Sequence, residues 1–187
     1  MKNLSRWTKN RTNARLIFPI LLTFCWGCAS LFQHKYVWSE YTVDRKKVHL
    51  DAANTSAPTI VVTRGAADNR QIVLGRVTGH TWEGSLAAMT DAIAVQLTKE
   101  LKKRNYPVVN DGIKKVQVTV AEYSVEYGRW NYAYHISLDV TLGNGSLKRI
   151  KVRNSSPQNP DRGVDGAIAL AVTEVLNDPG FATYISH

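Results

Sequence analysis

The chain has 187 residues, 44% apolar and 21% charged, an ordinary globular balance that excludes a disordered chain and a multi-span membrane protein. Its formal charge of +9 points first to an acidic partner such as nucleic acid. Five of the 24 basic residues fall within residues 1–27, no acid precedes Glu40, and the rest of the chain carries only +4. The remaining basic clusters, "DRKK" (44–47) and "KELKKR" (99–104), read as solvated faces, so no nucleic-acid partner is expected.

Met1 to Arg15 is basic and polar, and Leu16 to Gly27 is uncharged: "LIFPILLTFCWG". Cys25 and Cys28, the two cysteines of the chain, lie at the end of this run. A C-x-x-C pair admits a redox couple, half of a metal site, or the end of a secretion signal. A thioredoxin-type couple needs a strand before it and a helix after it. A zinc site needs about four ligands, and no second cysteine pair exists. The basic start, short apolar core and small residue Gly27 match the layout of a secretory signal over residues 1–27. A single-span anchor from Leu16 to Phe32 stays open, at the lower limit of length. Both readings export the rest of the chain.

The segment also resembles the bacterial lipoprotein signal, a four-residue box ending in cysteine. Gly27-Cys28 matches its last two positions, whereas Cys25 and Trp26 depart from it. The resemblance implies that Cys28 becomes the mature N-terminus and carries three acyl chains, palmitate among the usual ones. Two chains already anchor stably. Ala29 in place of Asp implies sorting to the outer membrane, facing the periplasm.

Residues 28–57 read as a tether, mixing aromatics and charges without sustained periodicity. Tyr36, Trp38 and Tyr41 can pack on the domain or sit at a membrane surface. Residues 58–187 read as one domain. "PTIVVTR" (58–64) is a β-branched first strand, "QIVLGRV" (71–77) a second piece, and "GHTWEG" (79–84) a loop. Ser85 caps a helix to about Arg104, with Leu86, Met89, Ile93, Leu97 and Leu101 on one face.

Three strands follow. Val116, Val118 and Val120 alternate, then Tyr123, Val125 and Tyr127 continue in the opposite phase, predicting a bulge near Ala121–Glu122. Tyr132, Tyr134, Ile136, Leu138, Val140 and Leu142 fill every even position of the next strand. Asn144-Gly145 suits a type I′ turn, and "LKRIKVR" (147–153) returns. A last helix spans about Asp161 to Leu176, with Val164, Ile168, Ala171, Val172 and Val175 as its stripe, and "FATYIS" packs back. The expected fold is α+β: an antiparallel sheet of four to five strands with two helices on one face.

The strand and long helix ending near "LKKRNYPV", the meander, and the terminal helix closing in an F-x-x-Y-I tail resemble the YajG-like family of bacterial outer-membrane lipoproteins. That resemblance, over residues 58–187 together with the lipidated cysteine, implies an envelope lipoprotein without known catalysis.

Nothing in the sequence assembles an active site. His34, His49, His80, His135 and His187 form no H-x-x-x-H or H-E-x-x-H pair, and no G-x-S-x-G elbow or P-loop occurs. No enzyme activity, cofactor or metal is expected. Glu122 and Glu126 are about 13 Å apart along one strand, too far for a glycosidase pair. His135 faces away from the Tyr132–Leu142 set. The stretch "EYSVEYGRWNYAYH" (122–135) offers rigid aromatics beside Arg, Glu and Asn, as glycan or protein partners require. Tyr132 and Tyr134 suit the core. Tyr127, Arg129 and Trp130 are the candidate partner-binding residues, at the tip of a hairpin closed by Gly128-Arg129. The expected role is structural or interactive, toward an envelope protein, with glycan or lipid binding as the alternative.

Overall fold

A computed structural model describes residues 32–157 and 159–187. Cys28 and the leader lie outside the described residues. Two sheets form. The larger has the order β2-β5-β6-β7, from Ile60–Arg64 (β2), Lys114–Tyr127 (β5), Asn131–Leu142 (β6) and Leu147–Pro157 (β7). The smaller has the order β1-β4-β3, from Phe32–Lys35 (β1), Ile72–Val77 (β3) and His80–Gly84 (β4). Among the described residues the α-helices are α1 (Leu86–Lys103), α2 (Pro160–Leu176) and α3 (Pro179–Ser186).

The fold is α+β, as expected, but its sheets are mixed. β2 pairs parallel to β5, because the chain leaves β2 and returns through α1 instead of a hairpin. "GHTWEG" forms β4 where a loop is expected. The turn lies one step earlier, at Thr78-Gly79, where Gly79 takes the positive φ of 76°. The meander follows the predicted alternation: Val116, Val118, Val120 and the even residues of β6 are buried. Its register shifts between Val120 and Glu122, at the predicted bulge. There the buried Thr90 hydroxyl of α1 accepts a hydrogen bond from the Val120 N–H (2.9 Å). The β6–β7 turn differs from type I′. Gly145 alone has positive φ (85°), and its N–H donates to the Leu142 carbonyl, which is a type I turn followed by a left-handed glycine.

Ser85 caps α1 by accepting from the Ala88 N–H (3.1 Å). The helix ends in a Schellman arrangement: Asn105 takes φ 63°, with bonds from Asn105 N to Lys102 O and Tyr106 N to Leu101 O. Met89, Ile93, Leu97 and Leu101 are buried against the large sheet, with β2 and β5 beneath. α2 starts at Asn159, which caps the Arg162 N–H, and packs over β6 and β7. Its approach is close. A Cβ on Gly163 would lie 2.1 Å from the Tyr134 ring. Phe181 and Ile185 bring α3 back onto the core.

Residues 32–57 differ from the expected tether. After β1 they form a strap across the outer side of the helices. Tyr36 and Val43 are buried, the Tyr36 and Ser39 hydroxyls donate to Asp165 of α2, and Glu40 pairs with Lys99 of α1 (2.7 Å). Further along, Asn177 bonds His49 N and Lys47 O, and Ala53 N donates to Arg104 O. The strap explains why Gln96, Glu100 and Asp165, polar residues of the helices, are buried. Among the described residues no helix is long and apolar enough to cross a membrane.

Candidate functional site

The β5–β6 hairpin places the predicted tip as expected. β5 ends at Tyr127, β6 begins at Asn131, and the Gly128 N–H donates to the Asn131 carbonyl (3.0 Å). Trp130 is 74% exposed and Tyr127 50%, whereas Tyr132 and Tyr134 belong to the core. The Arg129 guanidinium lies 5.5 Å from the centre of the Trp130 ring. Tyr127 meets Tyr132 edge-on at 4.9 Å. Burial raises the Tyr127 hydroxyl above its ordinary pKa, against the opposing pull of the Arg76 charge and a backbone hydrogen bond from Arg76. Arg76 belongs to β3, so the small sheet reaches the foot of the aromatic tip.

The small sheet carries a second aromatic group that sequence reasoning missed. The parallel register of β1 and β4 sets Phe32 opposite His80 and His34 opposite Trp82. Alternate residues share one face, so the four rings form a ladder. Phe32 stacks on His80 at 5.0 Å, His80 on His34 at 5.1 Å, and His34 on Trp82 at 4.9 Å. His34 Nε2 and His80 Nδ1 are 2.8 Å apart and share a hydrogen bond. The two histidines are 46 residues apart in the chain, so no local spacing announces them. Among the described residues no group of three or more His, Cys, Asp or Glu could hold a metal ion.

The other candidates are surface or structural groups. Glu122 and Glu126 are exposed on the sheet face away from the helices, and Glu126 pairs with His135 (3.3 Å) and Arg153 (3.9 Å). Asp165 is a buried carboxyl. Burial raises its pKa, opposed by the hydrogen bonds from Ser39 and Tyr36. A cleft of about 450 Å³ opens between the β6–β7 turn and the α2–α3 joint, lined by Leu142, Lys148, Val175, Asp178 and Phe181. Its carboxylate is already engaged: Asp178 caps the Phe181 N–H (2.8 Å) and pairs with Lys148.

No family model matches the chain, and no curated protein matches it. Among solved structures it is similar to a DUF330-family protein from Xanthomonas campestris, at 15% identity and a TM-score of 0.47, over 82% of this chain and 95% of that one. It is also similar to a minor lipoprotein from Acinetobacter baumannii, at 11% identity and a TM-score of 0.37, over 68% of this chain and 90% of that one. At these scores the likeness carries no conclusion about family or function.

Proposed function

We propose that this chain is a lipid-anchored protein of the bacterial cell envelope, held at the outer membrane and facing the periplasm, with a non-catalytic structural or interaction role. The observation that carries the reading is the leader: a basic start, twelve uncharged residues and Gly27-Cys28-Ala29. Cys28 is the lipidated residue. The tip formed by Tyr127, Arg129 and Trp130 is the contact surface toward another envelope component, since exposed aromatics with a cation alongside give area at little conformational cost. The same exposure favours a second reading, a glycan- or lipid-binding module using that tip. A single-span anchor ending at Phe32 is the alternative mode of attachment.

Labelling with a fatty-acid analogue tests the anchor. Cys28→Ala should abolish labelling, and Cys25→Ala should leave it unchanged. Equal labelling of Cys28→Ala and the parent overturns the lipoprotein reading.

A further inference from the structure

We propose that the contact surface meets the bilayer itself: the end of the molecule bearing Phe32, Tyr127 and Trp130 lies against the membrane, with these rings in the headgroup layer. This rests on the anchor reading above and names its partner as the lipid surface. The first argument is reach. β1 is paired from its first residue, Phe32, whose N–H donates to the Gly79 carbonyl (3.2 Å). Only residues 29–31 separate Phe32 from Cys28. Four residue steps span at most about 14 Å even when fully extended. The headgroup layer on each side of a bilayer is about 5–8 Å thick. The folded domain therefore begins at most about 6–9 Å beyond that layer, where a flexible tether of some thirty residues would have let it roam. The single-span alternative ends its apolar run at Phe32 and constrains the same end more tightly.

The second argument is composition. Four large aromatic side chains are exposed among the described residues: Phe32, Tyr41, Tyr127 and Trp130. Three of them are at this end. Phe32 stacks on His80, His80 pairs with Val77 in the β3–β4 hairpin, and the next residue, Arg76, touches Tyr127 at the foot of the tip. Trp and Tyr are the residues that favour the membrane interface, where one part of the ring is apolar and the other wet. Arg76 and Arg129 add positive charge suited to anionic lipid. The nearest acid along β5, Glu126, points to the opposite sheet face and is paired with His135 and Arg153.

The test uses the full chain in vesicles of phosphatidylethanolamine and phosphatidylglycerol that contain a headgroup-level quencher. A fluorophore is attached at Thr78→Cys, an exposed turn position beside Gly79, or at Glu174→Cys, an exposed position near the other end of α2. Glu174 is 14 residues along α2 from Pro160, about 21 Å at 1.5 Å per residue. Pro160 packs against Gly75 of β3, which places the two probes at opposite ends. We expect quenching at position 78 several-fold greater than at position 174. The double change Phe32→Ala and Trp130→Ala should reduce it toward the level at 174. Equal quenching at both positions, with fatty-acid labelling of Cys28 intact, overturns the docking while the anchor stands. Unchanged quenching in the double variant overturns it too, because the short linker alone would then set the geometry. Failure of the chain to join vesicles overturns both readings.

Discussion

Asp165 shows how one residue decides what its neighbours do. Its carboxyl is buried beneath the strap and accepts from two hydroxyls, yet burial still holds its pKa above the ordinary value. The folded state therefore binds this proton more tightly than the unfolded chain. That contribution is fully present below the unfolded value of about 4 and is lost as pH rises through the folded value. Asp165→Asn stays neutral. Its stability relative to the parent should improve as pH rises from about 4 upward, measured by urea unfolding across pH; a difference that is flat or falls with pH contradicts this. Glu100 has the opposite sign. Burial alone would raise it, but Lys103 and Arg104 overcome burial and hold it low, so its contribution is lost as pH falls. At the tip, Tyr127→Ala with Trp130→Ala should lower stability by less than about 1 kcal/mol, as for surface positions. Tyr134→Ala should lose about 3–5 kcal/mol, as for a truncated core aromatic. Thermal unfolding of the two variants separates these cases, and a large loss in the double variant would make the tip structural.

At the scale of elements, α1 is defined by its ends as much as by its stripe. Ser85 satisfies an N-terminal N–H, and Asn105 lets the chain reverse through a left-handed residue. Ser85→Ala should destabilise the domain by about 1 kcal/mol, the usual loss of a serine cap; a change indistinguishable from zero would mean that packing alone holds the first turn. The β1–β4 ladder depends on register. A one-residue slip would turn Phe32 and His34 to the other face and unstack the rings. β1 is four residues long and, among the described residues, its single strand neighbour is β4, so the ladder rings hold it beyond its backbone bonds.

For the whole molecule, the strap makes residues 32–57 part of the domain. It buries Tyr36 and Val43 and covers the polar outer positions of both long helices. A buried side chain of this size contributes about 1.5–3 kcal/mol. A chain of residues 55–187 should therefore unfold at distinctly lower urea than residues 29–187, by more than either side chain alone accounts for. Coincident midpoints would show the strap to be an ornament on an independent core. Both chains should unfold without response to a chelator.

Local pattern sufficed for the meander, the bulge, the α1 cap and the buried stripes of α1 and α2, because each is a matter of period or of neighbours within a few residues. The tip residues Tyr127 and Trp130 were legible for the same reason, lying on either side of a Gly-Arg turn. The β4 strand was hidden because "GHTWEG" is framed by glycines and becomes a strand only when β1 and β3 flank it. The parallel pairing of β2 with β5, the strap, and the His34–His80 contact were beyond sequence reading. Each joins segments tens to more than a hundred residues apart, where no periodicity reports the partner. Charge and apolar patterning near the N-terminus raised the question of an anchor. Only the tertiary pairing of Phe32 with β4 decided how few residues separate the folded domain from the proposed anchor at Cys28.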